Sequence, residues 1–386
     1  MSSTPSPDAA ARHRIGIYDQ GEPGPTILVM SALHGNEPAG FRAFERVYER
    51  LLADKTPFRG RLVGFVGNLT ALDKQQRFID EDLNRIWQPG DIARRAAIPW
   101  EERSSEGRQQ AELLAALEGE LGQASNEPIY FLDLHTSSAQ GKPFVCIGDT
   151  LRNRNFATQF PVPVILGLEE QVDGAMLEYV NNLGHVTVGV EAGQHDDPTS
   201  IDFHEAFVSL ALVGTGCVHR NDLSCYNEMR ARLDAAGASL PRVLEVRHRH
   251  PVSAADDFQM RPGYENFQPV KVGEELAQDA RGAVQAPETG RVLLPLYQGQ
   301  GDDGYFLVRE FAKFWLAVSA LLRRLKLGRC ARWLPGVHVH HGDANTLVVN
   351  RGVARWFTVE IFHLLGYRKE RSDGDQLLFS RRVEDF

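Results

Sequence analysis

The sequence predicts an α/β protein: an α/β/α domain built on a mixed sheet, then a small all-β domain of barrel-sandwich type, then a short α/β C-terminal extension. Three observations predict it. Short apolar runs alternate with amphipathic helical stretches up to about residue 225, the pattern of layered α/β domains. From about 242 to 309 the runs become short and β-like (VLEVRH, QPVKVG, GRVLLPL, GYFLVRE), separated by turns rich in Gly, Pro and Asp. Residues 309–326 then return to helical periodicity.

The elements follow in order. The N-terminal MSSTPSPDAAARHRIG is rich in Ser, Pro and Ala, and residues 1–14 read as a disordered lead-in. It has no apolar core of a secretory signal. TILVMSAL (26–33) reads as a buried strand. After the turn HGNEP, residues 39–52 place Phe41, Phe44, Val47, Tyr48, Leu51 and Leu52 at helical spacing. RLVGFVG (61–67) reads as strand. Residues 105–121 carry Leu113, Leu114, Leu117 and Leu121 on one helical face. IYFLDL (129–134), residues 143–147 and GHVTVGVE (184–191) read as buried strands, with helices at 175–182 and 202–213. The expected units are a catalytic domain over 15–225, a β-rich domain over 240–310, and a helix plus extension over 311–386. In the last, residues 336–386 suggest strand, helix, strand.

Composition narrows the function. The 386 residues are 42% hydrophobic and 24% charged, and 42 Lys and Arg against 51 Asp and Glu give a net charge of −9. That balance argues against a nucleic-acid partner, whose phosphates demand clustered cations. No apolar run reaches the length of a membrane span. Four cysteines without a C-x-x-C pair argue against a cysteine zinc knuckle and fit a reducing cytoplasm.

The chemistry concentrates at strand ends. His34 and Glu37 stand three apart where the first buried strand turns into a helix. His135 follows IYFLDL, so it belongs at the same kind of edge, where sites form in open α/β sheets. Two imidazoles and a carboxylate suit one Zn²⁺ per chain with an open position for water. Taken singly, each also fits a satisfied loop side chain. Glu191 adds a carboxylate at a third strand end, placed to move a proton. Arg77, Asn84 and Arg85 lie within one short loop segment. Arginine can stabilise an oxyanion or grip a carboxylate with its fork. A solvated charged loop is the alternative.

The ordered set HGNE, RFIDEDLNR, DLHTSS and VEAG resembles the succinylglutamate desuccinylase and aspartoacylase family, a branch of the zinc carboxypeptidase-like hydrolases. The resemblance covers roughly residues 25–310. It implies a carboxypeptidase-like α/β domain followed by a β-rich domain. It implies His34, Glu37 and His135 as zinc ligands, Glu191 as general base and acid, and Arg77 as the carbonyl-polarising arginine. Asn84 and Arg85 become the grip on the substrate carboxylate. Asp133, two residues before His135, shares its face on a strand and either orients that imidazole or plays a structural role. Aspartoacylases carry a further arginine shortly before the catalytic glutamate. Here LEYVNNLGHVT holds none, contains Glu178 and follows Glu169 and Glu170. A less acidic N-acyl amino acid is therefore expected as the small-molecule substrate, cleaved at its amide bond. A zinc carboxypeptidase acting on a peptide C-terminus is the alternative, and a non-catalytic zinc-binding homologue the third reading. Homo-oligomerisation stays open.

Two motifs stand apart. QAPETGRVL (285–293) resembles a hairpin of the lipoyl carrier fold, with no lysine at its tip; Arg291 cannot be acylated in that way. His338, His340 and His341 alternate in VHVHHG, a pattern that is more often solvated than metal-binding.

Overall fold

The computed structural model describes residues 7–123, 127–340, 343–350, 358–373 and 376–381. One mixed sheet of 11 strands organises the chain. Its first eight strands are β1 (Arg14–Asp19), β2 (Thr26–Ser31), β3 (Arg61–Val66), β4 (Ile129–Ser137), β5 (Phe144–Ile147), β6 (Val164–Leu166), β7 (Val186–Gln194) and β8 (Val243–Pro251), in the order β1-β3-β2-β4-β7-β5-β6-β8. β3, β2, β4 and β7 are mutually parallel. β1 and β5 run against their neighbours β3 and β7.

The central strands are apolar on both faces, as helices on both sides demand. In β2, Ile27 and Val29 join a core with Phe44, Val47 and Leu51 of helix Ala39–Asp54 and Phe207 of helix Thr199–Gly214. Leu28 and Met30 face the other way, into a core with Leu113 and Leu117 of helix Ser105–Leu121. This is the two-sided layering that the alternating runs predict.

The β-rich segment is hydrogen bonded into the same sheet. β8 pairs parallel with β6 on one side and antiparallel with β14 (Asp303–Glu310) on the other. β13 (Gly290–Leu293) and β10 (Pro269–Val270) extend that edge. A three-stranded sheet of β9 (Gln259–Met260), β11 (Glu275–Asp279) and β12 (Gly282–Gln285) packs beside it around Leu276, Val292 and Leu307. The hairpin suggested over 285–293 does not form: β12 pairs with β11, whereas β13 pairs with β10 and β14.

Other differences are local. Of the lead-in expected over 1–14, residues 1–6 lie outside the described residues, and the rest is structured. A short helix covers Pro7–Ala11, and buried His13 bridges the Val66 carbonyl (2.7 Å) and Glu112 (3.0 Å). The helix expected over 309–326 spans Lys313–Arg324, because β14 continues to Glu310. The tail holds more strand than expected. β15 (Val337–His340), β16 (Asp343–Asn350), β17 (Tyr367–Asp373) and β18 (Gln376–Arg381) form a four-stranded antiparallel sheet with helix Thr358–Leu364. Arg323 anchors it to the large sheet's layer through a buried ion pair with Asp149 (2.9 Å), just past β5. Among the described residues no helix is long and apolar enough to cross a membrane.

Candidate active site

The carboxyl ends of β2, β4 and β7 meet at one edge, and the predicted residues converge there. After β2 the chain turns sharply. Ala32 takes a left-handed φ of 50°, and the Gly35 N–H bonds the Arg77 carbonyl (3.1 Å). A Cβ on Gly35 would lie 2.1 Å from the Ala71 carbonyl carbon, so only glycine fits the turn. The turn delivers His34 and Glu37 side by side just before helix Ala39–Asp54. His135 rises from β4 between buried neighbours.

His34, Glu37 and His135 present ligand atoms all within 4.8 Å of one another, the single such group of three among the described residues. The Glu37 carboxylate bridges the two rings, with Oε1 2.9 Å from His34 Nδ1 and Oε2 3.0 Å from His135 Nδ1. Each outer ring nitrogen faces a second carboxylate. His34 Nε2 lies 3.1 Å from Asp82 Oδ1, and His135 Nε2 lies 3.2 Å from Asp133 Oδ1. That leaves both Nδ1 atoms and Glu37 turned inward, a donor set that fits Zn²⁺, with outer carboxylates of the kind that fix ligand imidazoles. His338 and His340 lie exposed on β15, and His341 lies outside the described residues.

Charge follows geometry. Burial alone would raise the pKa of Glu37, but His34 and His135 hold it well below the usual carboxylate range. Burial likewise opposes ionisation of Asp82, and Arg77 and His34 overcome it. Burial would discharge His135; Asp133 and Glu37 keep it protonated well above its usual range. Glu191 behaves oppositely. Burial, reinforced by Glu37 and Asp133 and opposed by His135 and Arg77, pushes its carboxyl up to about 8. Its Oε2 is buried without a hydrogen-bond partner.

Arg77 donates to Asp82 from Nε (3.1 Å) and Nη2 (2.9 Å), and its Nη1 lies 3.7 Å from Glu37. Asp82 also caps the short helical turn Leu83–Arg85 by accepting from the Asn84 N–H (2.8 Å). Asn84 spends its side-chain oxygen on the Met176 N–H (2.8 Å), which leaves its NH₂ toward the site. Arg85 donates to the Asn84 carbonyl (3.0 Å) and to Asp303 (3.2 Å) of the β-rich segment. All these predicted residues line one cavity of about 160 Å³. Its walls include apolar Leu168, Val172, Leu177 and Phe306. Its guanidinium groups are Arg77 and Arg85, and Glu169 lines it too, whereas Glu170 and Glu178 do not.

Sequence reading missed several lining and supporting groups. Asp82 sits inside a quoted motif, yet nothing in the motif marks it as the His34 partner. His195, four residues past Glu191, also lines the cavity, and so do Gln298, Asp302 and Asp303 from the far β-rich segment. Buried His204 lies on the helix packed beneath; burial, with the charge of nearby His135, pushes its pKa down to about 3 and holds it neutral.

Comparison with known proteins points to one family for the first half of the chain. The description "Succinylglutamate desuccinylase/Aspartoacylase catalytic domain" matches residues 23–206. Residues 23–206 are thus similar to that family's catalytic domain. Succinylglutamate desuccinylases are among the curated relatives. That of Burkholderia orbicola is 30% identical over 29% of this chain, and that of Shewanella denitrificans is 32% identical over 30% of it. The matched stretch spans only 31% and 32% of those two relatives. Solved structures extend the likeness of fold. A succinylglutamate desuccinylase/aspartoacylase from Rhodobacter sphaeroides superposes with a TM-score of 0.56 at 18% identity, covering 76% of this chain and 87% of its own. An aspartoacylase family protein from Mesorhizobium loti gives 0.53 at 17%, covering 77% and 88%.

Proposed function

We propose that the protein is a zinc-dependent amidohydrolase that cleaves the amide bond of an N-acyl amino acid, releasing a carboxylic acid and the free amino acid. The observation that carries this reading is the convergence of His34, Glu37 and His135 with Glu191 beside them in one small cavity. The domain's family and the curated relatives support the same reaction class.

His34, Glu37 and His135 would hold the ion. Zinc bound there would act as a Lewis acid and make water acidic at neutral pH. Glu191, ionised, accepts the proton of the attacking water and delivers it to the departing nitrogen. Arg77, anchored on Asp82, faces the oxyanion that develops on the acyl oxygen. Arg85 and the Asn84 NH₂ hold the α-carboxylate of the amino-acid half. The apolar walls and Glu169 leave no cation for a second carboxylate, so neutral side chains are favoured over that of aspartate. A peptide C-terminus would need an open groove, whereas the segment between β13 and β14 adds a wall to a cavity of about 160 Å³, so a small acyl group is favoured over a peptide.

The test is a panel of N-acyl neutral and acidic amino acids offered to zinc-reconstituted protein. Neutral substrates should lead by kcat/KM, and N-acetylaspartate should trail, because like charge in a desolvated pocket is costly. Absence of turnover across the panel would overturn the reading. N-acetylaspartate leading the series would overturn the specificity.

A further inference from the structure

The segment Leu294–Asp303, which joins β13 to β14, lines one wall of the cavity and is tied to several of the motif segments. The Tyr297 N–H bonds Ser138 Oγ (2.9 Å), just past His135. Gln300 donates to the carbonyl of Phe78 (3.3 Å), next to Arg77. Asp303 accepts from Arg85. The central tie is Gln298. Its side-chain oxygen accepts from Asn36 Nδ2 (2.8 Å), which sits between His34 and Glu37, and lies 3.1 Å from His195 Nε2. An amide oxygen only accepts, so Nε2 carries the imidazole proton and Nδ1 accepts from the Thr136 hydroxyl (2.8 Å), adjacent to His135. One oxygen therefore joins the strap directly to the His34 loop and, through His195, to Thr136 on strand β4 beside His135.

The backbone of the strap is shaped for this course. Leu294 enters it at a left-handed φ of 51°. Gly301 leaves it at φ 147°, where a Cβ would also meet Leu296 at 3.0 Å. Leu294, Pro295 and Leu296 are the strap's apolar contribution to the cavity wall.

We propose that Gln298 is a positioning residue that latches the 294–303 strap in place as one wall of the pocket and thereby sets the size of substrate admitted. The size consequence rests on the hydrolase reading; the latch does not. Because the latch uses only an acceptor oxygen, the variants separate chemistry from bulk. Gln298→Met keeps the length and removes the acceptor. Gln298→Glu keeps acceptor oxygens.

The experiment measures hydrogen exchange of the strap amides in the full-length zinc-loaded protein, and in parallel kcat and KM for N-acetyl and N-hexanoyl forms of one neutral amino acid. Gln298→Met should exchange faster across 296–301, and Gln298→Glu should restore protection toward wild type, with zinc content unchanged in both. Gln298→Met should also shift the hexanoyl-to-acetyl ratio of kcat/KM upward by about tenfold or more, the scale on which a pocket discriminates methylenes. Unaltered exchange in Gln298→Met, or a Gln298→Glu variant as loose as Gln298→Met, overturns the latch. Altered exchange with an unchanged ratio overturns its control of size. A wild type that hydrolyses neither compound overturns the hydrolase reading, while exchange still decides the latch.

Discussion

His135 and Glu191 stand directly opposite each other on adjacent parallel strands, in register across β4 and β7. One candidate ligand and the candidate base are thus fixed by the same hydrogen-bonded ladder, not by mobile loops. A site built on rigid elements holds its geometry before substrate arrives.

That arrangement has a consequence for pH. The folded, metal-free protein keeps a proton on Glu191 up to about 8, whereas an ordinary glutamate loses it near 4.5. The folded state therefore binds more protons between those values, and stability falls as pH rises through the window. Glu191→Gln cannot ionise and escapes this loss. With chelator present, the Tm of the variant should gain on that of wild type as pH rises toward 8. A Tm gap that is constant with pH would count against the assignment. With zinc bound the cation favours the carboxylate, so the acid limb of kcat/KM should fall below 8.

Arg85 and Arg77 should separate kinetically. The α-carboxylate does not change during hydrolysis, and contact of equal strength in ground and transition states appears in KM. Arg85→Ala should mainly raise KM, by the equivalent of about 2–5 kcal/mol for a charge-assisted contact. Arg77→Ala should mainly lower kcat, by about 10²–10³ if it acts as an oxyanion donor. Amidating the substrate's carboxylate should mimic the Arg85 defect in wild type and add little to Arg85→Ala. Additive losses in that cycle would show that the two groups do not meet.

Gly35→Ala tests the turn. The added Cβ would collide with backbone, 2.1 Å from the Ala71 carbonyl carbon and 2.3 Å from the Leu72 nitrogen, so no rotamer relieves it. The HGNE loop must shift. Overpacking of this kind costs about 1–3 kcal/mol, and zinc affinity should fall with it. The checks are denaturant unfolding and zinc titration. A variant with wild-type zinc affinity would mean that the loop's exact course is not needed.

Much of this was legible in the sequence because apolar strands announce themselves. β2, β4 and β7 each begin as a largely apolar run, and a polar residue at the end of such a run, like His34, must emerge at the sheet edge. The motifs then brought His34, Glu37, His135 and Glu191 to that edge in the correct order. The ties that hold the strap left no such trace. Gln298 meets Asn36 across 262 residues, in a turn whose composition matches many surface turns. Strand β6, three residues long, offers no period to detect. β1 was hidden because Arg14 and Gly16 interrupt its pattern, while its burial is supplied by pairing with β3.

The most direct measurement is turnover by the zinc-loaded Glu191→Gln variant on the best N-acyl amino acid substrate of the wild type. The amide keeps the shape of Glu191 and cannot take the water's proton. kcat should fall by about 10²–10⁴, with zinc stoichiometry unchanged because Glu191 stands outside the ligand set. A variant that turns over like wild type, or that loses its zinc, would contradict the account.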